Sequence, residues 1–211
     1  MVPVPAYLRN HAQLIKANKK WTTFSFSCTC GCDTFVLYRN VYTADEEQAM
    51  KPYYDALIHS CTGGLASTCT IDEDGTVHHW RLLTPAGLDG TKEEGFIPER
   101  PFFAGISVMK IQCTHCGAEH VIFDSRCHGY DAMTSVQTEE ERNYTPQFRK
   151  KCKSPSAIEI KVENDPSREV FNGNTGLSFD EAQYSNAFSW IKIYAVNVDG
   201  KRRMIFEHET A

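Results

Sequence analysis

Two cysteine clusters constrain this chain more than any other feature. Cys28-Thr29-Cys30-Gly31-Cys32 and Cys113-Thr114-His115-Cys116-Gly117 each sit between β-prone runs. Two thiolates on one tight turn can meet a tetrahedral ion at about 2.3 Å per sulfur. Four thiolates are then available if the fold brings Cys113 and Cys116 to two of Cys28, Cys30 and Cys32. The pairs 28/30, 28/32 and 30/32 are all open from spacing. The chain holds nine cysteines in 211 residues, an odd number. The first residues, Met1-Val-Pro-Val-Pro-Ala-Tyr, have no apolar export core. A cytoplasmic, reducing setting is therefore expected, and there clustered cysteines point to metal before disulfides. A redox role for Cys113 and Cys116 would need a helix N-terminus to acidify the thiol, whereas the run after Cys116 reads as a strand. Ligation by Cys127 or His128 is disfavoured, because the chain runs away from the knuckle at about 3.3 Å per residue.

The two elements, over residues 21–41 and 104–124, resemble the knuckles of zinc-ribbon proteins. The resemblance rests on Cys113-x-x-Cys116-Gly117 and on the shorter-spaced Cys28/Cys30/Cys32 group. It implies paired β-hairpins around one structural Zn2+ ion, with Cys28, Cys30, Cys32, Cys113 and Cys116 as candidate ligands. It implies no activity, because zinc ribbons occur in proteins of many functions.

The expected fold class is α+β with β dominant: paired knuckle hairpins, an inserted subdomain, and a C-terminal antiparallel sheet plus helix. Residues 1–20 read as a helical arm, since Leu8, Ala12 and Ile15 can share one helix face. Residues 21–42 and 104–125 form the ribbon core. Residues 43–103 form the insertion, with a helix from the capping box Thr43-Ala-Asp-Glu46 and a β-hairpin over 66–83. Residues 126–211 form the C-terminal α+β part. Thr138-Glu-Glu-Glu141 is a second capping box whose helix must stop before Pro146. Ile158, Ile160 and Val162 alternate with charged residues, as in a half-buried strand. A third capping box at Ser178-Phe-Asp-Glu181 starts a helix to about Phe188. Two strands joined at Asp199-Gly200 close the chain. All of this is compatible with one domain. Trp21, Trp80 and Trp190 are expected in the core, and so are Cys61 and Cys69. His78 and His79 alternate across a strand and so do not share an ion.

Asp124-Ser-Arg-Cys-His-Gly-Tyr-Asp131 follows the second knuckle directly. Asp124, Arg126, His128 and Asp131 are the candidate ligand-binding residues: a guanidinium fork for an anion and an imidazole–carboxylate acid–base pair. The competing reading is a polar turn whose Asp and Arg pair with each other. No H-E-x-x-H, P-loop, G-x-S-x-G or G-x-G-x-x-G occurs, and a zinc with four thiolates has no open position for water. The leading functional expectation is a non-enzymatic binding or adaptor protein with a structural zinc and a protein or small-molecule partner. An enzyme centred on Asp124, Arg126 and His128 is the alternative. A nucleic-acid-binding ribbon comes third, because a net charge of −5 disfavours phosphate-backbone binding. No run of about 18 apolar residues suggests a membrane span.

Overall fold

The computed structural model describes residues 5–62, 100–134, 136–152, 154–163 and 188–210. These divide into two units, one from Met1–Val41 with Gly105–Ala211 and one from Tyr42–Ala104. The first unit is a curled antiparallel sheet. Among the described residues its nine strands are β1 (Ala12–Ala17), β2 (Trp21–Phe26), β3 (Thr34–Val41), β4 (Val108–Cys113), β5 (Glu119–Asp124), β6 (Gln147–Lys150), β7 (Ser156–Glu163), β8 (Trp190–Val196) and β9 (Arg202–Glu209). The β dominance expected from the sequence is present. No helix among the described residues is long and apolar enough to cross a membrane.

Strand β7 organises the sheet. Its alternation sends Ile158, Ile160 and Val162 into the core, where Phe24, Phe35, Leu37, Met109, Ile111, Phe123, Ile191 and Ile193 meet them. Strand β8 occupies one edge, from Ala157 opposite Val196 to Val162 opposite Ile191. The other edge is shared by two strands lying end to end. Strand β2 pairs Trp21–Ser25 with Glu163–Glu159. Strand β3 takes up the same edge at Thr34 and Phe35, opposite Ala157 and Ser156. From Ser25 to Thr34 the partner advances only from Glu159 to Ala157, about 7 Å of strand. Cys28, Cys30 and Cys32 thus lie on an excursion pinched out of an almost continuous edge.

Strand β3 then pairs with β4, with Phe35 opposite Cys113 and Arg39 opposite Met109. That register sets the turn between β4 and β5 beside the first cysteine loop. At the far end of β3, Asn40 donates to the Ile106 carbonyl at 2.7 Å and accepts from the Val108 N–H at 2.9 Å.

In the unit Tyr42–Ala104, the helix α1 (Ala44–Thr62) starts at the expected capping box. The Thr43 hydroxyl accepts from the Glu46 N–H at 3.1 Å, and the Glu46 carboxylate accepts from the Thr43 N–H at 2.6 Å. The hairpin expected over 66–83, with Cys69, His78, His79 and Trp80, lies outside the described residues. So does the helix expected from Ser178.

Two expectations are corrected and one element is added. The N-terminal arm is not a helix beyond the 3-10 turn Ala6–Leu8, because Ala12–Ala17 is an edge strand on β2. Leu14 and Ile15 are both exposed there, so pairing with β2 outweighs a three-residue helical pattern. Trp21 and Trp190 are half-buried on the outer face of the sheet rather than in the core. The added element is strand β6, in a basic run after Pro146, which lies against β3 with Tyr38 opposite Lys150.

Candidate metal centre

The first cysteine loop is closed by its own backbone. The Cys28 N–H donates to the Cys32 carbonyl at 2.8 Å and the Gly31 N–H to the Cys28 carbonyl at 2.8 Å. The second loop caps the hairpin of β4 and β5. There the Cys113 N–H donates to Ala118 at 2.9 Å, and the Gly117 N–H turns back to Cys113 at 3.0 Å. Gly117 has φ +75°, the left-handed conformation that glycine adopts without strain. The two loops are tied together by Thr114, whose N–H and hydroxyl both donate to the Thr34 carbonyl, at 3.1 and 3.0 Å.

Four sulfurs converge between the loops. Cys28, Cys30, Cys113 and Cys116 place their Sγ atoms within 4.8 Å of one another. Cys28 lies 3.6 Å from Cys116, and Cys30 lies 3.6 Å from Cys113. Four thiolates around an ion at about 2.3 Å would stand roughly 3.8 Å apart at tetrahedral angles. The cluster is therefore of the size that could hold one metal ion. Cys32 stands outside it. Its sulfur faces the Thr34 N–H and carbonyl, each at 3.5 Å, and the Thr114 hydroxyl at 3.6 Å.

The backbone around the sulfurs favours thiolate. The N–H of Cys30 faces the Cys28 sulfur and that of Cys32 faces the Cys30 sulfur. The N–H groups of Cys116 and His115 face Cys113, and that of Ala118 faces Cys116. Hydrogen bonds to the charged form lower a thiol pKa. The Cys30 N–H is the chief influence bringing Cys28 down to about 7. Cys113 is lowered too, chiefly by the Cys116 N–H. The other two pay for the crowding: at Cys30 the Cys32 N–H pulls down, but desolvation and three neighbouring sulfurs push up to about 12. At Cys116 the Ala118 N–H pulls down and the Cys28 sulfur, with lesser neighbours, pushes up. Four thiols this close cannot all ionise unless a cation joins them.

Behind the sulfurs stands an aromatic wall. His120 Nε2 lies 3.3 Å from the Cys28 sulfur. The His120 ring meets His11 edge-on at 4.7 Å and Phe26 at 5.3 Å. Nothing in the sequence marked His120 for this position. The usable signal is its register opposite Ile111, two residues before Cys113.

The Asp124–Asp131 segment has a different character. Asp124 Oδ1 accepts from the Arg126 N–H at 2.9 Å and from its Nε at 3.0 Å, and Oδ2 accepts from Nη2 at 2.7 Å. Arg126 Nη1 donates to the carbonyls of Glu141 at 3.2 Å and Tyr144 at 2.7 Å. These tie the strand end to the short helix α3 (Glu139–Asn143), which carries the expected capping box at Thr138. His128 is buried, accepts at Nδ1 from the Asp124 N–H at 2.9 Å, and stacks on Tyr7 at 3.6 Å. Burial holds its pKa down to about 4, with only partial opposition from Asp124, so the ring is neutral near pH 7. Gly129 at φ +89° lies so close to Thr210 that a Cβ would meet its side chain at 2.4 Å. Asp131, on the short helix α2 (Tyr130–Thr134), is exposed, and its N–H donates to the Thr210 carbonyl at 2.7 Å. The fold therefore joins Asp124 to Arg126 directly, sets His128 inward beside their backbone, and turns Asp131 toward the end of β9.

No protein-family model matches the chain, no curated protein matches it, and no solved structure matches its fold.

Proposed function

We propose that Cys28, Cys30, Cys113 and Cys116 hold one structural zinc ion, and that the protein is a non-enzymatic binding protein built on this clamp. The observation that carries the reading is the convergence of four sulfurs, each faced by a backbone N–H. Zinc fits a tetrathiolate set, and four protein ligands leave no position for a reacting water. The ion would weld the excursion between β2 and β3 to the turn between β4 and β5, parts of the chain otherwise joined at their tips by Thr114 alone among the hydrogen bonds described above. A reducing compartment keeps such thiols available. A binding role is favoured over catalysis at Asp124–Asp131 because Arg126 is engaged by Asp124 and two carbonyls, and His128 is stacked and neutral. Elemental analysis of the purified full chain, with thiol counting before and after chelation, tests the metal. One zinc per chain is expected, with four thiols turning reactive on chelation. Metal-free protein that melts at the same temperature with or without added zinc would refute it. Iron in place of zinc would correct the metal and leave the ligands standing.

A further inference from the structure

The outer face of the sheet carries a convergence of cations that the cysteine centre does not use. Strand alternation buries Thr22 and Phe24 of β2, Ile160 and Val162 of β7, and Ile191 and Ile193 of β8. Trp21, Thr23, Lys161, Lys192 and Tyr194 therefore stand on the opposite face, where Thr23 is itself buried beneath its neighbours. The registers set Lys16 opposite Thr23, Thr23 opposite Lys161, and Lys161 opposite Lys192. Like charges directly opposite on one face of a sheet repel.

Aromatic rings hold these cations in place. Lys161 Nζ lies 4.4 Å from the Trp21 ring centre and Lys192 Nζ 5.4 Å from it, and the Arg202 guanidinium lies 4.7 Å from that of Tyr194. Carboxylates neutralise the surrounding positions: Glu163 pairs with Lys20 at 3.1 Å, Glu207 with Lys192, and Glu159 with Arg202. Among the described residues neither Lys16 nor Lys161 has an ion-pair partner. Desolvation, followed by the charges of Lys192, Arg202, Lys16 and Lys20, holds the Lys161 pKa below its ordinary value. An anion at this point would relieve that repulsion.

Lys16, Asn18, Thr23, Lys161, Tyr194 and Arg202 line an open cleft of about 200 Å³. At roughly 30 Å³ per water that is space for about six or seven waters, enough for an oxyanion and part of the molecule that carries it. We propose that this cleft binds a phosphate group carried by a small phosphorylated ligand, with Lys16 and Lys161 supplying charge, Thr23 a hydroxyl, and Arg202, already paired with Glu159, standing at the margin. A dianion with several acceptor oxygens suits two unpaired cations and neutral donors better than a single carboxylate does. A nucleic-acid strand is disfavoured. The rings of Trp21 and Tyr194 already carry cations over them, so bases lack a free stacking platform.

The test is calorimetric titration of the full-length protein with inorganic pyrophosphate at low ionic strength. Zinc content and circular dichroism are measured on the same samples, so a failure of the metal reading is seen separately from a failure here. Saturable binding is expected, weakening as salt is raised. Lys161→Gln and Lys16→Gln should each weaken binding at least tenfold with the fold unchanged, since each removes a repelling charge. Lys150→Gln, on β6, should leave it unchanged. Absence of saturable binding would overturn the proposal, as would equal weakening by Lys150→Gln. A thymidine oligonucleotide that displaces pyrophosphate at lower concentration would overturn the assignment to a small ligand.

Discussion

The cysteine centre and the Asp124–Asp131 segment are both dense in reactive groups, and the fold treats them in opposite ways. Around Asp124 each charge meets an opposite charge or a carbonyl: the guanidinium is taken up by a carboxylate and two backbone oxygens. Between the knuckles, like meets like, with four sulfurs facing one another and backbone N–H groups stabilising their charged form. The first arrangement is complete in itself and holds a strand end in place. The second leaves room at its centre that a cation could fill. A cluster of titratable residues thus points outward to a ligand when its members leave one another unsatisfied, and abundance alone does not distinguish the two cases.

The sharpest way to break this contrast is to remove one member from each region. Cys113→Ser should abolish stoichiometric zinc and give the largest loss of stability, because apparent zinc binding contributes on the order of 10 kcal/mol to small zinc domains. Metal analysis with thermal melting reads both, and retention of full zinc would remove Cys113 from the ligand set. Arg126→Ala should cost roughly 3–4 kcal/mol in urea denaturation, as breaking a largely buried pair leaves Asp124 uncompensated. It should leave zinc unchanged. A loss within about 1 kcal/mol would mean the guanidinium is free for a ligand after all.

The next effect is a pH dependence. His128 has a pKa of about 4 in the fold against an ordinary 6.5. As pH falls through 6.5 the unfolded chain takes up a proton that the fold refuses until about 4. Stability is therefore full above about 6.5 and declines between there and 4, by roughly 2–3 kcal/mol from this residue. His128→Gln should flatten that part of the profile relative to the parent protein, and an unchanged slope would remove His128 as its source.

How much of this was legible in advance differs between the regions for physical reasons. Clustered cysteines announce themselves, because few other roles call for that spacing in a reduced chain. The strand Ile158–Val162 and the turn at Asp199-Gly200 were equally plain, since alternation and turn chemistry are local. Which of Cys28, Cys30 and Cys32 join the group depends on how their loop is closed, and Thr34 and Thr114 draw Cys32 aside. Strand β1 was hidden because an edge strand needs only main-chain partners, which leave no mark in side-chain pattern. Trp21 and Trp190 looked like core residues. On the outer face they cover cations instead, an arrangement set by a register between strands distant in sequence.

Two smaller effects sharpen the centre itself. His120→Phe should keep one zinc per chain and weaken its affinity by about tenfold, in the range for outer-shell partners of a metal site. Competition with a chromogenic chelator measures this, and an unchanged affinity would reduce the 3.3 Å contact with Cys28 to packing. Cys32→Ser should change least, with zinc stoichiometry intact and stability within about 1 kcal/mol. Loss of metal in that variant would exchange Cys32 for Cys28 or Cys30 among the ligands.

The chain leaves the sheet at Val41 and returns at Gly105, where Asn40 grips both Ile106 and Val108. For the strands, everything between is only the loop of a hairpin. The entropy of closing a loop grows with the logarithm of its length, so a long segment burdens the hairpin little more than a short one. Tyr42–Ala104 is therefore a place where lineages can gain, lose or exchange a module, and where a designer can graft one, while the cysteines at the other end of the same strands keep their spacing.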